Sequence, residues 1–147
     1  MGVSQGKIQF VITLIDTNVV LDVALERQSY LILSEQVLLS VEQGRLEGYI
    51  SASTFTDLYY IIRKERGRTW ALQFLTQLLT FCKIAVVDQH VIANALISPS
   101  TDFEDAVQYE AAIATQLDAI VTRNANDFSS QGLQILTPEA LLQRLSQ

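Results

Sequence analysis

A short apolar segment that ends in an aspartate constrains the fold of this chain more than any other feature. Residues 11–15 are mostly apolar, too few to cross a membrane, and Asp16 stops the run. Such a run is typical of a strand buried on both faces of a parallel sheet. In open parallel α/β sheets, ligands bind beside the carboxyl ends of the strands. Asp16 is therefore predicted either to cap the next helix or to belong to a functional site, with Asp22 in the turns that follow.

The composition limits both the class of protein and the partners that its surface can bind. With 147 residues, 49% hydrophobic and 18% charged, the chain is expected to fold as one domain with a real core. One cysteine, Cys82, excludes an internal disulfide and a multi-cysteine zinc site, and is expected to be a buried thiol in a reducing cytosol. No signal peptide or membrane segment is evident. The net charge of −6 excludes a wholly basic nucleic-acid surface, so a polyanion needs a local basic patch or a bound cation.

The apolar segments predict a regular alternation of strands and helices. Strands are expected near 10–15, 46–51, 84–87, 119–122 and 133–136. Helices are expected over 18–24, 29–44, 70–81, 89–97 and 102–117, in a segment that begins at 53 and closes on 63–68, and from 137 onward. This order predicts a mostly parallel sheet of about five strands flanked by helices, in one domain over 1–147 with 1–9 as an N-terminal tail.

Several polar residues are placed where helix caps are expected. Thr69 is predicted to cap the helix over 70–81, and Ser53 or Thr54 the preceding one. Thr101 and Glu104 have the spacing of a capping box. Asp88 and the pair Thr137–Pro138 mark two more helix starts.

Acidic residues fall repeatedly near the predicted carboxyl edge of the sheet. They are Asp16, Asp57, Asp102, Asp105 and Asp127. If they converge, their mutual repulsion is about 1 kcal/mol per close pair in water and several times more when partly desolvated. A hard divalent cation such as Mg²⁺ or Mn²⁺ relieves that repulsion, since both take oxygen ligands and retain waters. The alternative is a set of unrelated caps and surface acids.

Four segments together resemble the PIN-domain family, of the kind found in bacterial VapC-like toxin ribonucleases. They cover most of the chain, from about residue 12 to 142, in the family's order. The segments are IDTNVVLD at 15–22, SASTFTD at 51–57 with the RKERG of 63–67, DFEDA at 102–106 and IVTRNANDF at 120–128.

The resemblance implies a metal-dependent endoribonuclease acting on single-stranded RNA, cytoplasmic, often homodimeric and often paired with an antitoxin protein. It implies that Mg²⁺ or Mn²⁺ is held by a catalytic quartet, with supporting polar groups around it. The quartet would be Asp16, Asp57, Asp105 and Asp127, and the supporting groups Asn18, Asp22, Asp102, Thr122 and Asn124.

The cations nearest these motifs have two interpretations. As the last turn of a helix before Gly67, a basic run is ordinary C-terminal capping chemistry. The same run can bind RNA phosphates. The predicted RNA-binding residues are Arg63, Lys64, Arg66 and Arg123.

Two alternatives belong to other functional classes. The chain departs from the commoner family pattern at Asp57, where Glu is frequent, and at Asn124, where an acid is frequent. These departures and the acidic surface favour, as the second hypothesis, a PIN fold that no longer cleaves and binds RNA or protein. A phosphatase or phosphoacceptor that uses Asp16 as nucleophile is disfavoured, since Asn18 stands where a haloacid-dehalogenase-type enzyme has Asp.

Overall fold

The computed structural model describes residues 11–125 and 132–146, which form a parallel sheet flanked by helices. The five strands lie in the order β3-β2-β1-β4-β5, and every neighbouring pair is parallel. The elements in chain order are β1 (Ile12–Ile15), α1 (Thr17–Ala24), α2 (Leu31–Glu42), β2 (Glu47–Ser51), α3 (Ala52–Arg66), α4 (Arg68–Leu79), β3 (Cys82–Ala85), α5 (Gln89–Leu96), α6 (Phe103–Thr115), β4 (Ala119–Val121), β5 (Gln134–Leu136) and α7 (Pro138–Leu145).

The predicted fold class is confirmed, and one strand is displaced from its predicted position. The third strand occupies Cys82–Ala85 instead of 84–87. Its register with β2 pairs Gly48 with Cys82 and Ser51 with Ala85, the last residue of each strand. Because β2 ends at Ser51, the apolar residues Val86 and Val87 have no neighbouring strand to pair with. Hydrophobicity alone does not reveal where the partner strand stops.

The sheet separates two apolar cores, and successive side chains of β1 enter different ones. Ile15 packs in the core that contains residues of α1, α2 and α3, while Leu14 packs in the core that contains residues of α5 and α6. Both side chains have no exposed surface. The prediction that this strand is buried on both faces is therefore confirmed.

A close approach between β2 and α2 depends on a glycine. A Cβ atom added at Gly48 would lie 2.9 Å from a methyl group of Val41 and 3.1 Å from Cδ1 of Ile15. Since real Cβ contacts are not this short, the absence of a side chain lets α2 lie directly on the strand.

The helix starts follow the predicted chemistry in some places only. Asp88 accepts from the Val91 N–H at 3.0 Å, and Thr137 from the Ala140 N–H at 3.1 Å, as predicted. The predicted cap at Thr69 is wrong, because α4 already begins at Arg68, directly after Gly67. Gly67 ends α3 with φ of +89°, a conformation that side-chain-bearing residues rarely adopt.

Two further capping predictions are also corrected. The first residue of α3 is Ala52, so Ser53 and Thr54 lie inside the helix and do not cap it. At α6, Asp102 instead of Thr101 is the cap, and its Oδ1 accepts from the Asp105 N–H at 3.0 Å.

The strand order places a crevice beside the end of β1. β1 pairs with β2 on one side and with β4 on the other, so the direction of winding reverses between β1 and β4. Ligands of open α/β sheets bind at such a switch point, outside the carboxyl ends of the strands. Asp16 follows β1 and Thr122 follows β4.

Among the helices of the described residues, none has both the length and the apolar character that crossing a membrane requires. The predicted tail over 1–9 and the predicted site residue Asp127 lie outside the described residues.

Candidate functional site

Asp16 lies at the switch point and is held there from two sides. Its backbone N–H donates to the Val121 carbonyl at 3.0 Å, which ties the end of β1 to the end of β4. The Thr122 hydroxyl donates to Oδ2 at 2.9 Å, and the Gln108 amide on α6 donates to Oδ1 at 2.9 Å. Only 4% of Asp16 is exposed. Each carboxylate oxygen therefore has a fixed, neutral donor.

Burial raises the pKa of Asp16 above its usual range, because the charged form loses hydration. Hydrogen bonds from Gln108, Thr122 and the Thr17 backbone oppose that rise, and the positive charge of Arg123 opposes it least. The charge on this carboxylate is thus solvated by dipoles more than by a side-chain cation. A bound cation would favour its ionised form.

A second pair of acids, Asp57 on α3 and Glu104 on α6, meets near Asp16. Hydrogen bonding to Asp57 is the main cause that raises the pKa of Glu104 to about 8, with burial next. The negative charges of Asp57, Asp16 and Asp102 add to it in that order. Glu104 therefore keeps its proton near neutral pH, and Asp16 is close enough to act on it electrostatically.

Sequence reasoning missed Glu104 as a site residue. It lies in the run Asp102-Phe103-Glu104-Asp105, from which Asp105 was selected and Glu104 was assigned to a capping box. Because α6 begins at Phe103 with Asp102 as its cap, Glu104 lies in the first turn, where it reaches Asp57. The acidic run is visible in the sequence, but the residue at which α6 begins decides which of its acids contacts α3.

Gln108 was missed as well, for a different reason. It is fully buried, and its Oε1 has no hydrogen-bond partner among the described residues, while its Nε2 binds Asp16. A single glutamine in an amphipathic helix carries no sequence signal of this kind. The neighbouring Thr17 and Thr54 hydroxyls, 3.1 Å apart and buried, also join the start of α1 to α3.

The remaining predicted acids have different positions. Asp105 is half-buried in the first turn of α6. Asp22 is fully buried, accepts from the Ser34 hydroxyl at 2.9 Å and pairs with Arg123 at 3.0 Å and Arg27 at 3.6 Å. Within residues 11–125 and 132–146, no three His, Cys, Asp or Glu side chains are grouped closely enough to hold a metal ion. The quartet with Asp127 stays a prediction.

The donor set nevertheless fits a hard divalent cation. Asp16, Asp57 and Glu104 offer only carboxylate oxygens, and the proton that Glu104 retains relieves its repulsion with Asp57. A cation that displaces that proton provides the same relief, and Mg²⁺ keeps several waters that can span longer distances to protein oxygens.

Two predicted supporting residues act through hydrogen bonds. The Asn124 backbone N–H donates to the Thr122 hydroxyl oxygen at 3.2 Å, so that hydroxyl is left to donate to Asp16. The Asn18 side-chain oxygen accepts from Arg27 at 3.2 Å.

The predicted RNA-binding cations divide into two groups. Arg63 and Lys64 are exposed in the last turn of α3. Arg66 donates to the Ala24 carbonyl at 2.7 Å and lies 4.7 Å above the Trp70 ring. The Arg123 side chain is only 17% exposed because it pairs with Asp22 and lies over the Tyr30 ring. Arg66 is exposed too, but its hydrogen bond and ring contact occupy it, so Arg63 and Lys64 are the more accessible of the predicted cations.

Comparisons with known proteins place this geometry in context. A family model described as PIN domain matches residues 12–126. A chain of a toxin–antitoxin complex from Klebsiella pneumoniae superposes with a TM-score of 0.64 at 22% identity, over 86% of this chain and 97% of that one. A chain of DNA-bound VapBC from Salmonella typhimurium gives 0.64 at 16% identity, over 88% and 99%.

A third similar structure is VapBC2 from Rickettsia felis bound to a promoter DNA fragment. Its TM-score is 0.64 at 16% identity, with 86% of this chain and 98% of that chain covered. At these identities the likeness shows the fold. No curated protein matches the chain.

Proposed function

The chain belongs to the PIN-domain family, and from that premise we propose that it is a metal-dependent endoribonuclease that hydrolyses RNA phosphodiester bonds. The observation that supports this most is the position of Asp16. It stands at the switch point of the sheet, buried, with one donor on each carboxylate oxygen, and next to the Asp57–Glu104 pair.

In this proposal Asp16, Asp57 and Glu104 would hold Mg²⁺ or Mn²⁺, in part through its bound waters, with Asp105 and Asp127 as the further acids expected from the sequence. The chemistry that such an ion would supply is a bound water of lowered pKa and compensation of the charge that develops on the phosphate. Thr122 and Gln108 keep the Asp16 carboxylate in one orientation. Preorganised groups of this kind stabilise developing charge without reorganising during the reaction.

The RNA backbone would be contacted by Arg63 and Lys64. Both are exposed on the helix that also carries Asp57, within two turns of it, and helical rise places them about 9–11 Å further along the axis. Because the whole chain is acidic, a local pair of cations is the feature able to attract a polyanion.

A protein partner is the second part of the proposal. One of the similar structures is a toxin–antitoxin complex, and we propose that this chain is likewise a toxin with a cognate antitoxin, acting in the cytoplasm as a homodimer. Large apolar side chains exposed on α2 and α4 support a protein-covered surface. They include Ile32, Leu33, Leu39, Leu72 and Leu79.

Replacing Asp16 tests the proposal. Asp16→Asn keeps the shape but removes the charge, and RNA cleavage should fall by more than the 10- to 100-fold that is typical of outer-shell positions, to about background. Glu65→Gln, an equal change of charge at an exposed acid on α3, should cleave normally. Circular dichroism confirms that both variants fold. Cleavage by Asp16→Asn at the wild-type rate would end the proposal.

The inactive-module hypothesis is the second candidate. It is favoured by the lack of a three-carboxylate group among the described residues and by Asn124, where many relatives have an acid. Calorimetric titration with Mn²⁺ separates the two functions, since the inactive module should release no binding heat.

A further inference from the structure

We infer that the buried Asp22–Arg123 ion pair is a positioning device that sets the orientation of Asp16, and that Arg123 does not contact RNA. The effect of this pair on catalysis rests on the proposed nuclease function. The structural part of the inference stands on contacts among described residues that belong to α1, α2 and the segment after β4.

Two contacts hold the side chain of Arg123. Its Nε lies 3.0 Å from Asp22 Oδ2, and its guanidinium carbon lies 3.8 Å from the centre of the Tyr30 ring. Asp22 has no exposed surface, and the Arg123 side chain is 17% exposed. The ion pair and the stacking contact together restrict the orientation of the guanidinium. A phosphate group would compete with Asp22 for this mostly buried side chain.

Separating Arg123 from Asp22 is energetically costly. A buried carboxylate that loses its partner is left poorly solvated, so the pair resists separation. Besides Arg123, Asp22 interacts with the Ser34 hydroxyl at 2.9 Å and, more distantly, with Arg27 at 3.6 Å. Asp22 is in turn fixed by α1, the helix that begins directly after Asp16.

The Asp22–Arg123 pair is connected to Asp16 through the residues on either side of Arg123. Arg123 is flanked by Thr122, whose hydroxyl donates to Asp16, and by Asn124, whose N–H donates to that hydroxyl. The Asn124 hydrogen bond spans the backbone of Arg123 and requires it to turn. Fixing the Arg123 side chain therefore fixes the turn, the direction of the Thr122 hydroxyl and one of the two side-chain donors on Asp16.

The experiment compares two hypotheses for Arg123 with one set of variants. Arg123→Gln removes the cation alone, and Asp22→Asn/Arg123→Gln removes both charges, so that no unpaired buried charge remains and stability should recover. Lys83→Gln is the control, because it breaks an exposed ion pair with Glu47 at 3.2 Å and changes the net charge equally.

If the pair positions Asp16, Arg123→Gln and the double variant should both lose about 10- to 100-fold in kcat and in calorimetric Mn²⁺ affinity, with KM for RNA changed less than about twofold. The double variant should show this loss even though its thermal stability recovers. Lys83→Gln should match the wild type.

If Arg123 contacts RNA instead, KM should rise at unchanged kcat and Mn²⁺ affinity, and the slope of log affinity against log salt should fall by about 0.7. That result overturns the inference. So do wild-type kcat and Mn²⁺ affinity in the double variant.

Amide hydrogen exchange measured by NMR separates failure of this inference from failure of the nuclease proposal. It needs neither metal nor RNA. The Asn124 and Asp16 amides should exchange at least several-fold faster in the double variant than in Lys83→Gln. Unchanged amide exchange overturns the inference even if the protein proves to be a nuclease. Faster exchange supports the structural part of the inference even if the protein does not prove to be a nuclease.

Discussion

Polar side chains around Asp16 hold its buried carboxylate in one orientation. Thr122 and Gln108 each give one hydrogen bond to it, and Thr122 is itself oriented by Asn124. Hydrogen bonds to a charged group are typically worth about 1.5–3 kcal/mol each. Losing one of them should affect both stability and cation binding.

Gln108→Met tests this at the residue scale. The substitution keeps most of the volume but removes the donor to Asp16, so the free energy of unfolding should fall by about 1.5–3 kcal/mol. Mn²⁺ affinity should fall about 10- to 100-fold. Chemical denaturation and calorimetry measure the two effects. Gln36→Met on the exposed part of α2 is the matched control, and equal behaviour of the two variants would contradict the role of Gln108.

Glu104 gives a pH prediction whose sign follows from its raised pKa. The carboxyl titrates at about 8 in the folded protein and near 4.3 when unfolded, so between these values the folded state holds the extra proton. The contribution of Glu104 to the free energy of unfolding of the metal-free protein should therefore be greatest below about pH 4.3. It should decrease as pH rises to about 8.

Denaturation at several pH values checks this contribution. Glu104→Gln cannot titrate, so the decrease between these pH values should be smaller in that variant than in the wild type. Glu65→Gln should retain the wild-type slope. If Glu104→Gln has the same slope as the wild type, the raised pKa does not belong to Glu104.

The site residues differ in how far the sequence reveals them. Asp16 could be located because the end of a buried strand is visible in the apolar pattern, and Asp57 because it follows the next strand. Glu104, by contrast, depends on where α6 begins, and Gln108 on which residue of α6 faces β1. Arg123 was predicted to contact RNA; its inward orientation depends on Asp22, about a hundred positions away in sequence.

At the scale of elements, the sheet order follows from packing that the pattern of strands only partly encodes. The spacing of apolar residues and the turn residues between them locate all five strands, but the ends of β3 are set by its register with β2. The contact between α2 and β2 is similarly invisible in the pattern, since Gly48 is conspicuous only once Val41 is known to lie against it.

Gly48→Ala tests that packing. The added methyl would meet Val41 at 2.9 Å, and overpacking of this kind destabilises by about 1–3 kcal/mol. The double variant Val41→Ala/Gly48→Ala makes room for the new methyl. If the contact is as described, Gly48→Ala should cost less in the Val41→Ala background than in the wild type. A simple sum of the two single effects in thermal or chemical denaturation would contradict it.

At the scale of the whole molecule, a chain with net charge −6 collects acids from three separate helices at one edge of its sheet. Asp16 comes from the start of α1, Asp57 from the first half of α3 and Glu104 from the start of α6. Membership of the PIN-domain family and the parallel fold make that edge the place where a cation and an RNA phosphate are expected to meet.

Substoichiometric Mn²⁺ added to isotopically labelled protein tests that claim most directly, because the paramagnetic ion broadens the NMR signals of nearby amides. We predict that the amides of Thr17, Leu58 and Asp105 broaden first, and that this early broadening is lost in Asp16→Asn but kept in Glu65→Gln. Early broadening confined to other parts of the chain, or none at all, would contradict the account.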